Sequence, residues 1–316
     1  MEAVQDRNIH SFRKVGVFLG GCSHERPVSL RSGEAVYQAL KSAGLDVIKI
    51  DTANGFLSGL KRNPLDLAFL ALHGAGGEDG TIQRILNRKG IPYVGSNEKA
   101  SALAFDKGRA KRLFQRFGIP TPPFEVITRK NWKKVIARWH PPYVIKPVCE
   151  GSSIGIFFVE RSNNVDKKIQ SSLKTYSRLL IEKKIEGREF TVGILGRKAL
   201  PVIELKPKRK FYDYKAKYTR GLTEYLIPAP IPKNLTARLQ SLARKVHEIL
   251  ELRDLSRVDF KIDNEGRPFV LEANSIPGFT ETSLLPKAAQ EAGLDFTHLC
   301  FSLLEMALVR YQNSKE

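Results

Sequence analysis

The sequence is poor in cysteine: Cys22, Cys149 and Cys300 are its only three, odd in number and far apart. That excludes a disulfide framework and a cysteine-based zinc site, and it suits a reducing compartment. Long apolar runs are also lacking, and none approaches the roughly 20 residues that span a membrane. The opening MEAVQDRNIHSFRK has no apolar core for a signal peptide and carries acids that transit peptides avoid, so a cytoplasmic protein is expected. GxxxxGK[ST] is absent, which excludes a P-loop, and there is no RNA-recognition signature, zinc finger or heptad-plus-basic region. Acids are few beside bases, 33 against 52, giving a net charge of +19. The Lys and Arg are scattered, and their densest stretches, RKNWKK and KPKRKFYDYKAK, are short. They read as a solvated surface, some of it available to a polyanionic small molecule; binding to nucleic acid is the alternative from another class.

What is present is alternation. With 316 residues, 42% of them hydrophobic, the chain can bury a large core, and its length suggests about two or three domains. KVGVFLGG (14–21) predicts a buried strand ending in glycines, followed by a helix within 29–43 that carries Ala35, Val36, Ala39 and Leu40 on one face. DVIKIDT and LDLAFLALHG (65–74) predict two more strands, the second apolar nearly throughout, as a parallel strand covered on both faces is. EDGTIQRILNRKG has helix boundary signals, with acids in its first turn, a basic last turn and Gly90 beyond it. IPYVGS predicts a further short strand, so the first part is an open, mostly parallel sheet.

From Asn97 the texture changes. An Ala- and Lys-rich helix over 97–117 runs into the linker GIPTPPF, then come mixed helices and antiparallel strands, among them YVIKPV, GIFFVE, LLIEKKI and EFTVGIL. The last part holds LPVIELKP, an aromatic loop over 211–232 long enough to be a lid, an amphipathic helix carrying Leu235, Leu239, Leu242, Val246 and Ile249, and a hairpin. In the closing helix Phe296, Leu299, Cys300, Leu303, Ala307 and Tyr311 align, which makes Cys300 a core residue. The expected class is α/β combined with α+β.

The hairpin VDFKIDNEGRPFVLEAN (258–274) carries the first chemistry. Val258, Phe260 and Ile262 alternate with charged residues, as do Phe269, Leu271 and Ala273 with Val270, Glu272 and Asn274. A turn centred between Glu265 and Gly266 places Asp259 opposite Glu272, and like charges so placed destabilise a strand pair. With Asn274 they offer only hard oxygen and amide donors, which suit Mg²⁺ and would remove the repulsion. A half-exposed hairpin whose acids face water has the same spacing; the glycine and proline of LEANSIPGFT, where a substrate needs close backbone approach, favour the site. In YVIKPVCEGSSIGIFFVE, Lys146 ends a strand and Gly151, Ser152, Ser153 and Gly155 form a turn whose N–H groups can cradle phosphate. Lys107 and Lys217 are further candidate phosphate cations, otherwise indistinguishable from surface lysines. LGGCSHERPVSL and ALHGAGGEDG lie where parallel strands end, the place open α/β sheets bind ligands, so Glu25 could pair with an ammonium and His73 could orient it.

These stretches, together with GIPYVGS, KASALAFDK, IEKKIEGREFTV, FYDYKAKY and SRVDF, resemble in order the motifs of D-alanine–D-alanine ligases, from Lys14 to Leu308. The resemblance implies a three-domain ATP-grasp fold, with an N-terminal substrate domain (1–96), a central subdomain with the phosphate loop (97–181) and a C-terminal subdomain with lid and metal site (182–316). It implies ATP-dependent joining of two D-alanines through a D-alanyl phosphate, for peptidoglycan precursors. Glu25 would hold the first ammonium with His73 nearby, and Ser152 and Tyr218 would bond to Glu25 and latch the lid. Lys107, Lys146 and Lys217 would contact phosphates, and Glu182 and Glu189 the adenine amine and the ribose. Asp259, Glu272 and Asn274 would ligate two Mg²⁺ ions, with Mn²⁺ as a substitute. Arg257 and the Gly278 N–H would stabilise the tetrahedral oxyanion, and Ser283 would grip the second carboxylate. A homodimer without membrane or nucleic-acid partners is also implied. Lys184 and Cys149 depart from the family pattern, near the adenine and in the phosphate loop. Tyr218 is the residue of dipeptide-forming members and favours an amine acceptor; D-lactate or D-serine is the alternative.

Overall fold

The computed structural model describes residues 14–53, 55–57, 60, 64–161, 165–208, 219 and 221–313. Lys217, Tyr218 and the rest of 211–218, with residue 220, of the expected lid lie outside them. Three sheets form the frame. The first is parallel, with β1 (Val15–Leu19) between β2 (Val47–Asp51) and β3 (Leu67–Leu70). β1 and β3 are buried along their length, as their unbroken apolar runs require. IPYVGS adds only a single parallel bridge, Ala68 to Tyr93. Gly95, at φ +100°, turns the chain away there and gives its N–H to Asp254. The helices Arg26–Ser42 and Phe296–Asn313 pack on this sheet, so the end of the chain closes the core of its beginning. Cys300 is wholly buried in that core, as its helical register predicts.

The second sheet is antiparallel, in the order β4 (Phe124–Thr128), β7 (Arg178–Lys183), β5 (Tyr143–Pro147) and β6 (Phe157–Val159). Trp132 and Val135 from one short helix and Ile169 and Leu173 from another bury one of its faces. The third sheet, also antiparallel, runs β11 (Thr223–Leu226), β10 (Ile203–Pro207), β8 (Gly187–Leu195), β12 (Leu255–Asp263) and β13 (Pro268–Asn274), with β9 (Lys198–Ala199) on β8. Leu239 and Val246 of the helix Lys233–Ile249 pack on it together with Ala104 and Phe114. Among the described residues no single helix is long and apolar enough to cross a membrane.

Local chemistry changes four expectations. The helix expected over 97–117 is two helices, Glu98–Phe105 and Lys107–Arg116. Asp106 breaks it: extended, it caps the second helix by accepting from Arg109 N at 2.9 Å and binds Arg178 at 2.9 Å. The loop expected over 211–232 contains β11, whose Tyr225 and Leu226 ladder with Leu205 and Glu204. Glu78 and Asp79 precede the helix Thr81–Arg88 instead of filling its first turn; Asp79 accepts from Thr81 N at 2.9 Å. Finally, Asp259 does face Glu272, but a β-bulge follows, so Phe260 pairs with Val270 and Leu271 is the extra residue. The bulge reverses the alternation: Val270, not Leu271 or Phe269, is buried.

Candidate functional site

Two cavities of about 200 Å³ each meet at Glu272 and Leu284, which line both. The first lies where β1 and β3 end, against the turn 150–155 and the segment after β13. Glu25 stands at the start of its helix, 5% exposed, and accepts the hydroxyl of Ser152 on Oε1. A Cβ on Gly151 would lie 2.1 Å from Glu25 Oε2, so any larger residue there would displace the carboxylate. Ser152 and Ser153 sit at φ 50° and 62°, left-handed backbone that costs a non-glycine residue roughly 1–2 kcal/mol. Glu25 Oε2 is buried without a hydrogen-bond partner among the described residues, the state of an acceptor awaiting a ligand's donor.

His73 is 5% exposed and lines the same cavity. Its Nδ1 donates to the Ile276 carbonyl at 3.1 Å, so Nε2 accepts from Ser32, 3.0 Å away. Burial lowers its pKa and outweighs the pull of Glu25, so the ring is neutral and locked. Beside it Glu78 accepts from Gly74 N at 2.8 Å; burial, reinforced by the charge of Glu25, pushes its carboxyl up to about 8. Across the cavity are Arg257, Asn274, Gly278 and Ser283. Ser283 is the N-cap of the helix Leu284–Glu291, with its Oγ accepting from Thr280 N at 3.0 Å.

The second cavity lies between the second and third sheets and is lined by Lys146, Glu182, Glu189, Asp259 and Glu272. Glu182 is buried between two lysines, with Lys146 Nζ 2.6 Å from Oε1 and Lys111 Nζ 3.0 Å from Oε2. Burial alone would raise its pKa, but Lys111 and Lys146 outweigh that and hold it below the usual range. For Lys146, Glu182 and Glu272 likewise overcome burial and raise the ammonium. Lys111 is instead pushed down, to about 8, because burial dominates. Lys107 reaches Glu150 O at 2.5 Å and Glu272 at 3.5 Å, and Glu189 pairs with Lys261 at 3.1 Å. Of the two departures, Lys184 is held by Glu160 and Glu186 at 2.7 and 2.6 Å. Cys149 is exposed, with its Sγ 3.8 Å from Arg178.

The facing acids each have a cation already. The Arg257 fork places Nε and Nη2 2.9 Å from the two oxygens of Asp259, while Lys107 serves Glu272. The repulsion expected across the hairpin is therefore offset by the protein itself. Thr191 donates to Asp259 Oδ1 at 2.6 Å, and Asn274 Nδ2 lies 3.1 Å from Oδ2. Among the described residues no three His, Cys, Asp or Glu side chains gather as metal ligands. The donor set is two register-paired carboxylates and an amide, which fits a hard divalent cation that fills its remaining positions with phosphate oxygens and water.

The structure thus brings together every expected site residue except Lys217 and Tyr218, which lie outside the described residues. It adds Ser32, Glu78, Lys111 and Thr191, which sequence reasoning missed. The first and third lie one helical step from noted residues, and Glu78 stands inside the quoted GGEDG.

Two antiparallel sheets closing on a cavity of lysines and acids, beside an N-terminal parallel sheet, define a protein of the ATP-grasp class. Residues 53–96 match the family described as "D-ala D-ala ligase N-terminus", and residues 113–305 match "D-ala D-ala ligase C-terminus". The D-alanine–D-alanine ligase of Methylacidiphilum infernorum is 45% identical over 300 residues, 95% of this chain and 97% of that protein. The crystal structure of the Bacillus anthracis D-alanine–D-alanine ligase complexed with ATP aligns at a TM-score of 0.84 and 30% identity, covering 96% of this chain and 99% of that one. A D-Ala:D-Ser ligase from Enterococcus faecalis aligns at 0.80 and 31%, covering 93% and 99%. The chain belongs to the D-alanine–D-alanine ligase family.

Proposed function

We propose that the protein joins two D-alanine molecules at the expense of ATP: the first carboxylate takes the γ-phosphoryl group and ADP leaves, then the second amine attacks the D-alanyl phosphate and inorganic phosphate leaves, supplying the dipeptide for peptidoglycan precursors. The observation that carries this is the pair of cavities meeting at Glu272, one rich in lysine and the other holding an unsatisfied carboxylate opposite a helix N-cap. A carboxylate is inert to amines until it becomes an acyl phosphate, and making one is a matter of positioning and charge neutralisation. Lys107 pairs with the shared acid and Lys146, paired with Glu182, lines the same cavity as it, so both can neutralise phosphate oxygens, and Lys217 joins them from the lid. Glu182 and Glu189 take the adenine amine and the ribose.

Asp259, Glu272 and Asn274 would hold two Mg²⁺ ions, which Mn²⁺ could replace. When bound, these ions neutralise charge on the phosphates and orient them for transfer. Glu25 takes the ammonium of the first D-alanine on its unpartnered oxygen, and neutral His73 walls the pocket. Ser152 fixes the other oxygen, and Tyr218 completes the latch. Arg257 and the Gly278 N–H face the oxyanion formed when the second amine attacks. Ser283 receives the second carboxylate, where the helix dipole favours negative charge. The part of the expected lid that precedes β11 would close over the site and exclude water from the acyl phosphate.

The division at 97 and 182, a homodimer and a cytoplasmic location belong to the same reading. The test is ADP release from ATP that depends on D-alanine, with the product identified; release without D-alanyl-D-alanine would overturn it. Similarity to a D-Ala:D-Ser ligase favours D-serine as the one rival acceptor, so the assay carries D-serine and D-lactate arms. A dipeptide yield with D-serine exceeding that with D-alanine would establish the rival.

A further inference from the structure

Lys111 is the most deeply buried cation of the described residues around the nucleotide cavity, yet it does not line that cavity. It leaves the helix Lys107–Arg116 at 0% exposure and ends 3.0 Å from Glu182 Oε2. Thr121 Oγ1 accepts from it at 2.5 Å and gives its own hydrogen to the Val270 carbonyl, 2.7 Å away. The Phe124 ring lies 5.6 Å below the ammonium. Glu182 is therefore gripped from two sides, by Lys146 from the cavity and by Lys111 from the core.

Two ammonium groups on one carboxylate leave this buried triad one positive charge in excess. The next acid is Glu272, and it is already shared with Lys107 at 3.5 Å. An uncompensated buried charge is costly, and the cost falls when an anion settles beside it. Lys146 is the only member of the triad's two cations that reaches the cavity, so the anion is drawn there. With Lys111 absent, Glu182 and Lys146 would form a neutral pair with little left for a phosphate.

We propose that Lys111 is a positioning residue of the nucleotide site: it neutralises Glu182 from behind and leaves the charge of Lys146 to the phosphate chain. This rests on the ATP-dependent reading above. The ligand group it serves is the polyanionic part of the nucleotide. A residue that only tethered its helix would instead disturb turnover and the D-alanine pocket alike.

The experiment is a kinetic cycle on the full-length enzyme with Lys111→Gln, Glu182→Gln and the double variant; Gln keeps a donor for Thr121 and loses the charge. Lys111→Gln is expected to raise the KM for ATP about 10-fold, equivalent to about 1.4 kcal/mol, with kcat and the KM for D-alanine within about threefold. In the Glu182→Gln background the same change should alter the KM for ATP less than about twofold, because nothing remains to neutralise. An equal effect in both backgrounds, or a loss in kcat as large as the change in KM, overturns the proposal. So does failure of both Lys111→Gln and Lys111→Met to fold, which would make Lys111 a purely structural residue. Absence of ATP turnover in the wild-type enzyme would refute the functional reading itself, whereas an active wild type with an unaffected Lys111→Gln refutes this inference alone.

Discussion

Arg257→Ala separates catalysis from stability at one position. The side chain makes a two-pronged contact with Asp259, 2.9 Å at each prong, between groups 14% and 20% exposed. Removing one partner of a buried pair costs about 3–5 kcal/mol when the other is left bare. Asp259 is not left bare, because Thr191 and Asn274 remain at 2.6 and 3.1 Å. We therefore expect a loss of about 1–2 kcal/mol, and a melting temperature lower by a few degrees at about 2–4 °C per kcal/mol. The rate should fall far more. An oxyanion donor is worth about 10²–10³ in kcat, so phosphate release with saturating D-alanine should drop to that extent. The Mg²⁺ dependence should not weaken, since Asp259 loses a competing cation. A folded variant that keeps half of the wild-type turnover would refute the role given to Arg257.

Two further outcomes follow from neighbours of the site. Thr191→Val removes the hydroxyl that orients Asp259, and the Mg²⁺ concentration for half-maximal ADP binding should rise about 10-fold; no change would show that Asp259 is held without it. Glu78 carries a carboxyl raised from 4.5 to about 8, chiefly by burial. Between those values the folded protein keeps a proton that the unfolded chain gives up, so this contribution is complete below about pH 4.5 and is lost as pH rises through 8. Glu78→Gln should therefore melt higher than wild type at pH 8.5 and gain nothing at pH 4.5. Parallel melting curves across that range would contradict the assignment.

Much of the site was legible because its chemistry is local in sequence. Asp259 and Glu272 were placed opposite each other by strand period and turn position, and Cys300 was assigned to the core by helical register. What failed was any feature decided by a single residue's competing bond. Asp106 has ordinary helical neighbours on both sides, but its carboxylate caps one helix and binds Arg178, and so it breaks the run. Leu271 looks like a core strand residue, yet the bulge turns it toward the second cavity and brings Val270 into the core. β11 was hidden in a polar, aromatic segment because its stability comes from pairing with β10. Lys111 and Ser32 were beyond reach for another reason. Their partners, Glu182 and His73, lie far away in the chain, and a lysine in a helix carries no mark of being buried.

The central claim is that nucleotide and amino acid meet at Glu272 from opposite sides. A crystal structure of the enzyme with ADP, Mg²⁺ and D-alanine tests it most directly. Metal density is expected against Asp259, Glu272 and Asn274, with phosphates beside Lys107 and Lys146 and a D-alanine ammonium on Glu25. Nucleotide bound elsewhere, with the oxygens of Asp259 and Glu272 turned to solvent, would contradict it.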